Sequence, residues 1–178
     1  FYSTEKSTEI KNCGNLCITL HSDNGSKTIL GKDILVEESE IIDAACMSKT
    51  SLCEFFEKEI KAAKEEDILM SLHLKATMMK ISDPIIFGHA VKVFYKDAFE
   101  KHTSILEKLG VDENNGLGDV YSKITQLPSI EQAKIKTDFD AVYKTRPKLA
   151  MVDSDRGITN LHIPSNVIID ASMPALIR

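Results

Sequence analysis

One stretch limits what this chain can fold into more than any other. Residues 68–74 are apolar at nearly every position, and the run ends on Lys75. So short and continuous an apolar run suits a strand covered on both faces. A few residues on, Asp83 offers an N-cap and Pro84 stands at the first helical position, where its missing N–H is harmless. The reading is a strand, a lysine at its end, and a helix restarting behind Asp83. Lysine is rarely buried without a partner, so one mounted there is either paired or poised for chemistry.

The chain before this stretch is mostly β in character. Residues 1–12 are polar and aperiodic and read as a linker or frayed edge. Residues 17–21 read as a strand, Asp23-Asn24-Gly25 as a turn, and residues 27–30 as the second strand of a hairpin. Gly31-Lys32-Asp33 is expected to reverse the chain again into residues 34–36, with a further strand over residues 41–47. Ser51 and Glu54 match a capping box. Behind them Leu52, Phe55, Phe56, Ile60 and Ala63 mark one face of a helix that ends near Glu66-Asp67. Strand, helix and strand then predict a right-handed crossover, pairing residues 41–47 with residues 68–74 in one sheet.

Beyond Pro84 the chain is helical. Ile86, Ala90, Val93, Phe94 and Ala98 form a stripe that continues toward Ile105 and Leu109 and stops at Gly110. Gly88 within so long a run suggests a bend, without fixing its place. Leu117, Val120, Tyr121 and Ile124 predict a short helix closed by Pro128. Ser129 and Gln132 form a second capping box, opening a helix with Ile135, Phe139, Val142 and Tyr143 on one face. Residues 149–152 read as a short strand, residues 153–157 as a loop, residues 158–162 as extended, and a last helix is expected after Ser165. The fold class is α/β, a mixed sheet packed with helices, with a β-rich N-terminal third. The 178 residues read as a single domain.

Composition excludes some functions. A net charge of −5 argues against a nucleic-acid partner, which selects a basic face. Lys58, Lys61 and Lys64 alternate with Glu57, Glu59 and Glu65 and make mixed solvated surface. No run approaches the roughly 18–20 apolar residues of a membrane span, and no secretory leader opens the sequence, so no membrane partner is expected. Cys13, Cys17, Cys46 and Cys53 lack zinc-finger spacing and read as buried or half-buried free thiols in a reducing cytoplasm. His21, His73, His89, His102 and His162 are scattered, and spacing favours an Asx-turned loop over a metal site at Asp153 and Asp155. Neither a glycine-rich dinucleotide turn nor a phosphate-binding lysine loop is present. Pattern alone therefore reaches a soluble α/β domain with one conspicuous lysine.

The words of the sequence go further. Ser71-Leu-His-Leu-Lys75-Ala-Thr-Met-Met-Lys80-Ile-Ser-Asp-Pro84-Ile-Ile-Phe-Gly-His89 resembles the central segment of the monomeric type of NADP-dependent isocitrate dehydrogenase. So do Asn114-Asn-Gly-Leu-Gly-Asp119, Leu149-Ala-Met-Val-Asp-Ser-Asp-Arg-Gly-Ile-Thr-Asn160, and the block from Leu161 through Asp170 to Arg178. The blocks keep the family's order and spacing, and the likeness is weakest over residues 1–40. It covers about a quarter of the family's polypeptide. Asn166 stands where the family pattern leads one to expect an aspartate, at a capping position.

The resemblance implies a two-layer α/β sandwich of the isocitrate/isopropylmalate dehydrogenase kind, here an excised part of the large domain of a longer, monomeric enzyme. It implies oxidation of isocitrate at C2 by hydride transfer to NADP and loss of CO2 to give 2-oxoglutarate with Mg or Mn, a reaction of the tricarboxylic acid cycle and glyoxylate bypass. Lys75 corresponds to the family's catalytic lysine beside the C2 oxygen, and Asp170 to one of its metal carboxylates. A nearby cation keeps a lysine readily deprotonated, which suits it to proton transfer. The main NADP site and the other metal and substrate residues belong to parts of the family's chain outside this one. The segment alone is expected to be inactive and to self-associate through surfaces cut from their neighbours. The competing readings are a stand-alone interaction or regulatory module on the same scaffold, and another metal-dependent hydroxyacid dehydrogenase.

Overall fold

A computed structural model of the chain describes residues 2–72 and 81–149. It is α/β, with small antiparallel sheets and several helices. Strands β1 (Lys6–Glu9), β2 (Gly14–His21), β3 (Lys27–Val36) and β4 (Ile41–Ala44) come first. Helices α1 (Lys49–Glu65), α2 (Ser82–Phe94), α3 (Lys96–Lys108), α4 (Leu117–Ile124) and α5 (Ser129–Thr145) follow, with a 3-10 turn at Glu113–Asn115. The chain divides into two compact units between Lys49 and Thr50. Among the described residues, no helix is long and apolar enough to cross a membrane.

In the first unit β2 and β3 form the expected antiparallel hairpin. Gly25 takes φ +82°, donates its N–H to Ser22 O at 2.9 Å, and the Asn24 side chain accepts from Ser26 N at 2.9 Å. That is an Asx turn with glycine where the backbone is left-handed. The expected second reversal at Gly31-Lys32-Asp33 is absent, because β3 runs on to Val36. What the glycine and aspartate mark is a bulged register: Leu16 faces Ile34 but Ile18 faces Gly31, leaving two residues of β3 against one of β2. Asp33 takes up the extra residue at φ +55°, a conformation Asp tolerates better than most.

The predicted crossover also fails. β4 pairs antiparallel with β1, while Met70 bridges in parallel to Leu149. Strand β1 went unseen because Lys6, Ser7, Thr8 and Glu9 are all exposed, and a strand with no covered face carries no alternation to read. Three of the four cysteines are exposed and Cys53 is half-buried, so the thiols are less sheltered than their apolar character suggested.

The second unit is a helical core. Phe56 and Ile60 of α1, Ala90, Val91 and Phe94 of α2, Ala98, Phe99 and Leu106 of α3, Val120 and Ile124 of α4, and Ile135, Phe139 and Val142 of α5 share one buried cluster. The α1 face agrees with the periodicity except at Phe55, which is 55% exposed. The bend in the long helical run lies at Tyr95, with φ −102° and ψ 25°, rather than at Gly88. Its ring is buried 5.7 Å from that of Phe139, and its hydroxyl meets that of Tyr143 at 2.6 Å. Gly110, at φ +66°, ends α3 as expected.

Neither capping box forms as read. Helix α1 opens at Lys49, so Ser51 lies inside its first turn. Helix α5 follows Pro128 with no side-chain cap, and Gln132 instead donates back to Leu127 O at 2.8 Å and Thr125 O at 3.3 Å. Helix α2 begins at Ser82, which puts Asp83 in its first turn, buried, and Pro84 third, still among the N–H positions without an intrahelical partner.

Candidate functional site

The stretch that ends on Lys75 is anchored at its near side. Met70 N–H donates to Lys148 O at 2.8 Å, and Met70 and Leu149 form a parallel bridge. Met70 and Leu72 pack partly buried against the helical core, whereas Ser71 is exposed and Ile68 is 51% exposed. The described part of this run is thus only half-covered, not buried on both faces. Lys75 lies three residues past Leu72, outside the described residues. Asp170, Asp153 and Asp155 also lie outside them, as do His73, Lys80, Arg156 and His162.

On the far side the chain re-enters at Ile81 and becomes α2. Ser82 Oγ donates to Asp83 Oδ1 at 3.3 Å. One and a half turns on, α2 meets the loop that precedes α4. Gly88 is buried, and a Cβ there would overlap Asn114 Oδ1 and lie 3.1 Å from both Asn114 Cγ and Asn114 N. Gly116 is at φ +73°, with the Phe87 ring 3.0 Å from where its Cβ would be. Lys92 Nζ reaches Glu113 Oε1 at 2.9 Å. Burial disfavours the ionised form of Glu113, but the Lys92 hydrogen bond, a backbone N–H and the nearby His89 outweigh it and hold the carboxyl below its ordinary range.

The loop is itself tightly built. Asp112 accepts from Asn114 N at 3.0 Å, and Asp112 N–H donates to Asp119 Oδ2 at 2.7 Å. Lys123 pairs with Asp119 at 2.9 Å and donates to Gly110 O. For Asp119 too, partial burial is outweighed by the Asp112 N–H and Lys123, and its carboxyl is held low. Sequence reading gives residues 114–119 only a resemblance and Gly88 only a bend. The available signal was Gly88 itself, since a mid-helix glycine costs about 1 kcal/mol against alanine and needs a packing reason.

Two other polar contacts tie the helices together. Asp138 accepts from Lys101 Nζ at 2.6 Å and lies 2.7 Å from Nε2 of the buried His102, joining α5 to α3. Lys101 and then His102 hold its carboxyl below the usual range. Burial and then the Tyr143 hydroxyl push the Tyr95 phenol up, and burial lifts Tyr121 to about 12. Arg146 reaches Glu57 at 2.8 Å and Val93 O at 3.3 Å, fixing the start of the segment that carries Leu149. Among the described residues, no group of three or more His, Cys, Asp or Glu side chains is placed to hold a metal ion.

A sequence model of the family described as monomeric isocitrate dehydrogenase matches residues 1–178. The chain belongs to the monomeric isocitrate dehydrogenase family. It is 59% identical to Isocitrate dehydrogenase [NADP] 2 of Colwellia maris, 53% to Isocitrate dehydrogenase [NADP] of Azotobacter vinelandii and 48% to Isocitrate dehydrogenase [NADP] 2 of Mycobacterium tuberculosis. Each likeness covers all of this chain and 24% of the relative, so the chain spans about a quarter of the length of these relatives. Within this family segment, two of the blocks that carried the resemblance, residues 84–89 and 114–119, touch at Gly88 and Asn114.

Proposed function

We propose that this chain is the central part of an NADP-dependent isocitrate dehydrogenase that oxidatively decarboxylates isocitrate to 2-oxoglutarate. The observation that carries the reading is the family match over residues 1–178, with relatives named as NADP isocitrate dehydrogenases. In this reading Lys75 stands at the C2 oxygen and takes up the hydroxyl proton as hydride leaves for NADP. Asp170 contributes one hard oxygen donor of the kind Mg or Mn requires. When bound, the metal supplies a positive charge that stabilises oxyanion character on the substrate. The finer architecture proposed is the two-layer sandwich of the isocitrate/isopropylmalate dehydrogenase kind, as part of the large domain of a monomeric enzyme, acting in the cytoplasm. Free cysteines support that compartment.

The reading also makes the segment alone inactive, because one lysine and one carboxylate cannot bind NADP and complete the metal's coordination. Apolar side chains exposed on the hairpin, among them Ile18, Leu20, Ile29, Leu30 and Leu35, support both cover by other parts of a longer polypeptide and self-association in isolation. The test is Lys75→Met in the full-length polypeptide. NADPH formation from isocitrate, NADP and Mn should fall by roughly 100-fold or more in kcat with an unchanged melting temperature. Near-native turnover would remove Lys75 from the chemistry.

A further inference from the structure

We propose that Asn24-Gly25, at the tip of the β2–β3 hairpin, is a site of spontaneous covalent modification through a succinimide. The sequence has a second Asn-Gly pair, Asn115-Gly116, and the fold holds that one against the same change. The reacting groups of the two pairs are the same, so the difference between them is structural. In the first step the glycine amide nitrogen, having given its proton to hydroxide, attacks the asparagine Cγ. An N–Cγ bond forms, the Cγ–Nδ2 bond breaks, and Nδ2 leaves as ammonia with a proton from water. A second water then opens the five-membered ring. Cleavage of the new N–Cγ bond leaves aspartate, and cleavage of the original peptide C–N bond leaves isoaspartate, with the chain running through Cγ. Glycine suits this step because it has no Cβ to hinder the approach.

At the hairpin tip Asp23, Asn24, Gly25 and Ser26 are all exposed. Ser26 N–H donates to Asn24 Oδ1 at 2.9 Å, which folds the Asn24 side chain back over the intervening Gly25 amide. That N–H lies on the oxygen that gains negative charge as Cγ becomes tetrahedral, the place of an oxyanion donor. Gly25 N–H is bonded to Ser22 O at 2.9 Å, but in a solvated turn, where local opening costs least. Around Asn115 the same step has more to undo. Asn115 closes a 3-10 turn, in which Gly116 N–H donates to Glu113 O at 2.9 Å and Asn115 N–H to Asp112 O at 3.1 Å. Its Nδ2, the leaving group, donates to Asp112 Oδ2 at 3.4 Å. Gly116 is buried, with the Phe87 ring 3.0 Å from where a Cβ would stand, and the buried Leu117 opens α4 directly after it. Bringing the Gly116 nitrogen onto Cγ disrupts both that turn and the start of the helix.

The test incubates the full-length polypeptide in mildly alkaline buffer, folded and in urea, and follows both sites by mass spectrometry after trypsin. Asn24 falls in the peptide of residues 12–27 and Asn115 in that of residues 109–123. Conversion is read as NH2 replaced by OH, and isoaspartate by methyl transfer from S-adenosylmethionine with an isoaspartyl carboxyl methyltransferase. In the folded protein Asn24 should convert at least about tenfold faster than Asn115. In urea the two rates should agree within about threefold. Asn24→Gln, which needs a six-membered ring, should leave the 12–27 peptide unmodified. Equal rates in the folded protein, or an Asn24 that stays intact there, overturn the inference. So does isoaspartate in the 12–27 peptide that survives Asn24→Gln, because it places the reaction at Asn12 or Asn15.

Discussion

Asp138 shows how much a single side chain holds in this molecule. It accepts from the exposed Lys101 and meets the buried His102, so one carboxylate joins α3 to α5. Its pKa is lowered on folding, so the unfolded chain binds more protons than the folded one across the acid range. The stability it contributes is complete above the ordinary carboxylate pKa and is lost as pH falls through the lowered one. Glu113 and Asp119 act in the same direction. Asp138→Asn should cost about 1 kcal/mol at neutral pH, because the Lys101 partner is solvent-screened and Asn keeps an acceptor. Urea midpoints across pH check this: the gap between variant and parent should close below about pH 3, and a gap independent of pH would sink the account.

At the scale of elements, existence was easier to read than boundaries. The hairpin, α4 and α5 follow from turn chemistry and from periodicity at Leu117, Val120, Ile124, Ile135, Phe139 and Val142, all of which are buried. The capping boxes misled because a serine three residues before Glu or Gln is only locally sufficient, and the chain found other bonds. Gln132 bonds the turn between α4 and α5 instead. Gln132→Ala should therefore cost about 1 kcal/mol, whereas Ser129→Ala, which removes no side-chain cap bond, should cost under about 0.5 kcal/mol. Equal losses for the two, measured by urea denaturation, would restore the capping box. Strand β1 and the bridge of Met70 to Leu149 were illegible for a different reason. Partner choice between distant segments is settled by packing, and no local period encodes it.

At the scale of the molecule, the proposed site rests on words of the sequence, since Lys75 and Asp170 lie outside the described residues. Spacing gave Lys75 an unusual place at a strand end, and resemblance of the surrounding blocks gave it a role. Neither names Asn114 as the neighbour of Gly88, because the two are distant in sequence and meet only through the fold. The bridge has a further consequence, in time rather than space. Met70 and Leu149 are joined across helices α2 to α5, and so remote a contact closes late because its loop entropy must be overcome first. The helical core, whose neighbours are nearer in sequence, can condense without it. Leu149→Ala should accordingly speed unfolding and leave refolding nearly unchanged, while Val120→Ala should slow refolding, as stopped-flow chevrons would report. Met70, where the stretch toward the proposed catalytic lysine begins, is then stitched in late, after the helical scaffold has formed.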